Sequence, residues 1–156
     1  MEVSVLIDKE FKKLLSAIWL KKVAWQVLVA ENARPMVEMG LVITGQEKIR
    51  ELNKKYLEED KPTDVLSFPM IEPDVGENCF VNPPDKRLRI GEVIISYPQA
   101  KEQAKEHHHR MKKEVAILII HGVLHLLGYD HDTAWRKQVM RRRESEILQV
   151  VEEQLL

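Results

Sequence analysis

The chain has 156 residues, 44% of them hydrophobic and 31% charged, a balance that supplies a sizeable core and excludes a disordered or low-complexity polypeptide. Its formal net charge of −1 excludes a global basic field, so any contact with nucleic acid has to come from a local patch. Met1–Ile7 alternates well enough for a strand. Over Lys9–Ala30, the residues Phe11, Leu14, Leu15, Ile18, Val23, Trp25 and Val27 recur at helical spacing, giving one long helix or two pieces. Met36–Thr44 reads as a second strand. Thr44 and Glu47 form T-x-x-E, a capping box for a helix over Gln46–Tyr56. Asp60–Thr63 reads as a turn built on Pro62, and Val65–Pro69 as a short strand. Ile71–Lys86 is loop-like, with Pro73, Gly76, Asn78, Pro83 and Pro84.

Leu88–Ser96 returns to strand, and Tyr97–His108 reads as a charged surface helix. Met111–Leu127 is apolar on nearly every side, which predicts a buried helix. Asp132 or Thr133 caps a final helix reaching about Val151, with Val139, Ile147, Val150 and Val151 facing the core. The pattern is that of one α+β domain spanning residues 1–156, with several helices and about four strands. Met1–Ile7 is too short for a secretion-signal core, and Asp8-Lys9-Glu10 ends it. Lys21 and Lys22 interrupt Leu14–Ala30, and Val115–Leu127 is short for a membrane span. Cys79 is the only cysteine, so no disulfide forms within the chain. A cytoplasmic protein without membrane contact is expected.

The sharpest feature is His121-Gly-Val-Leu-His125-Leu-Leu-Gly128-Tyr-Asp-His131. Residues one turn apart share a helix face, with Cβ atoms about 5–6 Å apart, so His121 and His125 can aim at one ion. Gly128 is a natural helix end, after which the chain can return His131 to the same place. Imidazole suits zinc, at Zn–N distances of about 2.0–2.1 Å, and one Zn²⁺ per chain is expected; nickel and copper tolerate the same donors. Three ligands leave a position open for water or substrate. A closed structural site would instead need a fourth ligand, for which Cys79 and Asp132 are the candidates. The spacing is that of zinc metalloproteases, but Gly122 stands where their glutamate base would be, which argues against peptide hydrolysis.

HGVLHLLGYDH, His121–His131, resembles the H-G-x-L-H-L-x-G-Y-D-H signature of the YbeY family of bacterial zinc-dependent endoribonucleases and ribosomal RNA maturation factors. Leu52-Asn53 followed by Asp60-Lys61-Pro62-Thr63-Asp64-Val65-Leu66-Ser67-Phe68-Pro69 resembles a second family block. Gly91–Ser96 resembles a third, and Glu114 also fits. The resemblance spans roughly Leu52 to His131 and implies a central, mostly four-stranded sheet packed by about five helices, the histidine helix in the core. It implies that His121, His125 and His131 are the metal ligands. It implies a zinc-dependent, single-strand-specific endoribonuclease in maturation of small-subunit (16S) ribosomal RNA and ribosome quality control, with ribosomal RNA and the small subunit as partners. The alternative is an assembly or RNA-binding factor with a mainly structural zinc and little nuclease activity.

One position departs from the pattern. Many family members carry an arginine after the tyrosine of the L-N-x-x-Y block, where it is implicated in cleavage; here Leu57 follows Tyr56. Leucine can neither pair with phosphate nor stabilise developing charge. Either another cation substitutes, with Lys55 and Lys61 near in sequence, or cleavage is weak. Lys113 also replaces an arginine of several members. No catalytic residue is assigned; Asp130 and Lys61 are the candidates, and Asp130 reads better as a group that orients a histidine or caps the next helix than as a base. Asp64 and Ser67 either line the cleft or cap and pair the strand. His107, His108 and His109 read as a solvated helix end, because adjacent histidines on a helix diverge by about 100°; His109 matches a histidine of part of the family. Arg136, Lys137, Arg141, Arg142 and Arg143 read as a solvated face neutralised by Glu144, Glu146 and Glu152, with a phosphate-binding patch as the other reading. Trp19, Trp25 and Trp135 read as packing residues rather than base-stacking platforms.

Overall fold

Period-2 alternation decides which way each strand faces. The computed structural model describes residues 1–59, 63–70 and 87–156, and its strands are β1 (Glu2–Ile7), β2 (Val37–Thr44), β3 (Val65–Pro69) and β4 (Leu88–Ser96). They form one mixed sheet in the order β1-β2-β4-β3, with β1–β2 and β2–β4 parallel and β3–β4 antiparallel. On β2, Met39, Leu41 and Ile43 face the main core, and Val42 turns to the opposite side. β4 holds one extra residue where its register to β2 slips between Glu38 and Met39, so Ile90 and Val93 both reach the main core. Gly91 takes φ 138° there, and an added Cβ would lie 2.2 Å from the Phe68 carbonyl oxygen.

Five helices accompany the sheet among the described residues: α1 (Ala17–Ala30), α2 (Gln46–Leu57), α3 (Tyr97–Glu106), α4 (Met111–Leu126) and α5 (Ala134–Leu155). The fold is the expected α+β domain. α1 and α4 pack against the main-core side of the sheet, and α5 packs on both helices. α2 covers the other side through Ile49, against Leu66 and Ile94. α4 is the buried centre: Val115, Ala116, Ile119, Ile120, Val123 and Leu124 are fully or almost fully enclosed. Burying such side chains contributes roughly 1.5–3 kcal/mol each relative to exposure, so packing holds this helix in place more than propensity does.

Of the two readings of Lys9–Ala30, the two-piece one holds: a 3-10 turn over Lys9–Phe11 precedes α1, whose first turn is capped by Ser16 accepting from the Trp19 N–H at 3.2 Å. Other details differ from the sequence expectation. The buried stripe of α1 is Leu20, Val23, Ala24, Val27 and Leu28; Leu14, Ile18 and Trp25 are exposed. Thr44 makes no capping box. Gly45 is the N-cap of α2, and the Thr44 hydroxyl instead donates to Asp8, tying the end of β2 to the end of β1. Thr133 rather than Asp132 caps α5, which runs on to Leu155 with Met140, Ile147 and Val151 buried and Val139 exposed. The turn centred on Pro62 and the loop Ile71–Lys86 lie outside the described residues. No helix among the described residues is long and apolar enough to cross a membrane.

Candidate metal centre

α4 presents its last turn in two directions. Gly122, Val123, Leu124 and Leu126 are buried, while His121 and His125 face a groove. The helix then stops in a Schellman motif: the Gly128 N–H donates to the His125 carbonyl at 3.1 Å and the Tyr129 N–H to the Leu124 carbonyl at 3.0 Å. Gly128 has φ 103° with nothing within 4 Å of an added Cβ, so conformation rather than space calls for glycine. The reversed chain returns His131 to the two helix histidines. Ring centroids lie 4.6 Å apart for His121–His125, 5.1 Å for His125–His131 and 6.1 Å for His121–His131. One nitrogen from each ring falls within 4.8 Å of the others.

This donor set fits a divalent ion. All three donors are neutral-capable imidazole nitrogens on one side of a cavity of about 620 Å³, whose far wall includes Leu57, Val65, Ser67 and Pro69. Burial first, then the neighbouring His121 and His131, lower the pKa of His125, which favours the neutral form that carries a free lone pair. Glu144 of α5 brings Oε1 to 3.3 Å from His121 Nδ1, which leaves Nε2 for the groove. On the sequence alone Glu144 reads as a partner of the neighbouring arginines, because nothing local marks a partner on another helix. Among the described residues no Cys, Asp or Glu joins the three histidines. Asp132 is paired with Arg136 at 3.3 Å, and Cys79 lies outside the described residues, as does Lys61.

The return loop is anchored from outside. The Tyr129 hydroxyl donates to Glu31 Oε2 at 2.9 Å, and Arg143 of α5 binds Glu31, Glu146 (2.7 Å) and the Ala30 carbonyl (2.6 Å). Burial, and then Glu31, push the Tyr129 phenol above its ordinary value, so it remains a donor. Asp130 lines the groove and accepts from the His131 N–H at 2.7 Å, with His131 Nδ1 3.9 Å away. It therefore orients this loop and does not cap α5.

Gly122 lies on the sheet side. A Cβ there would be 2.5 Å from Val93 Cγ1, and Ser67 donates to the Gly122 carbonyl at 3.1 Å. A glutamate at this position would run into β4 instead of the groove, so the protease mechanism is excluded by direction as well as by residue type. Ser67 thus lines the cavity and packs. Asp64 instead caps: it accepts from the Val65 N–H at 2.8 Å and from Gln103 of α3 at 3.2 Å.

The histidine run is not the divergent helix end that helical geometry suggested. α3 stops at Glu106, and His108 takes φ 55°, which turns the chain so that His107 and His109 converge. Their Nδ1 atoms lie 3.3 and 3.0 Å from Glu114 Oε2, a carboxylate with 3% of its side chain exposed. The donor atoms also lie within 4.8 Å of one another, but two rings serving one buried carboxylate already account for the arrangement. The basic cluster splits too. Arg136 pairs with Asp132, Arg142 and Arg143 with Glu146, and Glu152 pairs with Lys113. Lys137 and Arg141 have no carboxylate partner among the described residues, and they line a recess of about 220 Å³ with His121, His131 and Glu144. Trp19 is buried, as expected, but Trp25 and Trp135 are exposed, Trp135 by 73%.

Residues 5–152 match the family described as Endoribonuclease YbeY. The chain belongs to that family. It is 51% identical over 148 residues to the endoribonuclease YbeY of a strain of Dehalococcoides mccartyi, covering 92% of each chain. It is 40% identical over 153 residues to that of a Thermoanaerobacter species, covering 94% of this chain and 96% of the relative. Among solved structures, a Thermotoga maritima protein determined in solution aligns with a TM-score of 0.64 at 28% identity, over 97% of this chain and 90% of that one. Against this YbeY background the position of Leu57 gains weight: its side chain lines the groove itself. Lys55 is no evident substitute, since its ammonium sits 5.3 Å from the Tyr56 ring centroid, and Tyr56 packs edge-on against Phe68. Among the described residues, Lys137 and Arg141 are cations that line a recess with His121 and His131.

Proposed function

We propose that this chain is a zinc-dependent endoribonuclease that cuts single-stranded RNA, acting as one domain in the cytoplasm in maturation of 16S ribosomal RNA and quality control of the small subunit. The observation that carries the reading is the convergence of His121, His125 and His131 on an open groove in a member of the YbeY family. The ribosomal substrate rests on the family resemblance alone.

These three imidazoles hold the ion, and Glu144 keeps His121 in the tautomer that points Nε2 outward. When bound, the ion supplies a Lewis acid for a phosphoryl oxygen and a water of lowered pKa. Lys137 and Arg141 draw a phosphate toward the histidines and offset its charge. Asp130 fixes the backbone of the third ligand, and Leu57 and Val65 wall the opposite side.

Purified wild type and His125→Ala should be compared for metal content and for cleavage of single-stranded RNA. Wild type should hold about one zinc per chain and cut; the variant should lose both. Cleavage that persists in the metal-free variant would sink the proposal. The assembly-factor reading draws on Leu57, and a Leu57→Arg variant that gains activity over wild type would show that the groove lacks a useful cation.

A further inference from the structure

Trp135 is the most exposed large hydrophobic side chain among the described residues, at 73%. It stands in the first turn of α5, where Thr133 Oγ accepts from the Arg136 N–H at 3.1 Å and fixes the backbone. A lone exposed tryptophan is unremarkable by itself; its position is what matters. Trp135, Arg136 and Val139 line a hollow of about 480 Å³ together with Leu127, Gly128, Tyr129 and Asp130. Those last four residues also line the metal groove, so the hollow continues the groove around the return loop. Lys137 and Arg141 follow on the same helix, bordering His121 and His131. One short helical stretch thus sets an aromatic side chain beside the return loop that leads to His131, and two cations without a carboxylate partner among the described residues beside His121 and His131.

We propose that Trp135 is a nucleobase-binding subsite, stacking its indole on an unpaired base next to the phosphate seated at the histidines; this deepens the endoribonuclease reading and rests on it. Stacking on an indole face is open to any base, so the subsite selects strandedness rather than sequence. In a duplex the base faces are covered by neighbouring pairs, which leaves nothing for Trp135 to hold. The cations nearby would bind backbone phosphate from either form. The aromatic face is therefore the element that favours a single strand.

The test measures binding of the full-length, metal-loaded protein to a short labelled RNA, to the same strand with abasic positions, and to its duplex. Cleavage kinetics are followed in parallel. Wild type should bind the intact strand best. Trp135→Ala should weaken that binding by roughly five- to hundredfold, raise KM more than it lowers kcat, and leave abasic binding and the melting temperature unchanged. Trp135→Phe should recover most of the loss. Equal binding of intact and abasic strands by wild type, or unchanged binding by Trp135→Ala, would overturn the subsite and point to a protein partner for this surface. If RNA binds in a Trp135-dependent way but is not cut, the nuclease reading fails and the subsite stands; if RNA is cut without regard to Trp135, the reverse holds.

Discussion

At the scale of single residues, the site depends on which nitrogen each imidazole offers. Glu144 and Asp130 act differently on that choice. Glu144 meets a ring nitrogen of His121 at 3.3 Å, so it governs tautomer and orientation; Asp130 holds a backbone N–H at 2.7 Å, so it governs loop position. Replacing Glu144 with alanine should lower zinc affinity about 10- to 100-fold, measured by competition with a chromogenic chelator, while the melting temperature of the metal-free protein changes little. An unchanged affinity would leave Glu144 with no part in the site. The convergence of His121, His125 and His131 was legible in the sequence because its information is local: one helical turn, then a glycine stop. Glu144 was not, because it acts across 23 residues from a separate helix. Trp135 was misread for a related reason. Tryptophan is usually packed, and only the rotation of α5 against the core shows that Met140 faces in while Trp135 faces out.

At the scale of elements, α4 has to lie very close to β4 for its histidines to clear the sheet. Gly122 permits this approach. Gly122→Ala should cost about 1–3 kcal/mol through overpacking, read by urea denaturation. It should also disturb metal binding, since the helix must shift or Val93 must move. A fully stable variant with normal zinc affinity would show that the contact is slack. The strands and helices were largely predicted from periodicity. What escaped were events at element ends, where tertiary partners outweigh local rules. Thr44 prefers Asp8 to its own helix end, and the left-handed His108 converts two diverging histidines into a pair that serves Glu114. That buried glutamate gives a concrete measure: His109→Ala removes one of its two donors and should destabilise by about 1–3 kcal/mol, seen as a lower melting temperature.

At the scale of the whole molecule, the main core joins α1, α4, α5 and the sheet through apolar contacts that need no ion. Chelation should therefore leave helical circular dichroism intact at room temperature and lower the melting temperature only by the binding energy withdrawn. RNA cleavage should disappear. Unfolding on chelation would instead make the ion part of the scaffold and favour the assembly-factor reading.

The final helix suggests how such a protein can diversify. Its inward positions, Met140, Ile147 and Val151, are committed to the core, whereas Trp135 stands at the hollow beside the return loop and Lys137 and Arg141 line the recess at His121 and His131. Trp135 shares no lining residue with the inward set, so changes there should combine additively with changes in the core, whereas Lys137 and Arg141 share their recess with Met140. Substrate preference can then drift at the exposed first turn of a single helix while the architecture, held from its buried face, is inherited unchanged.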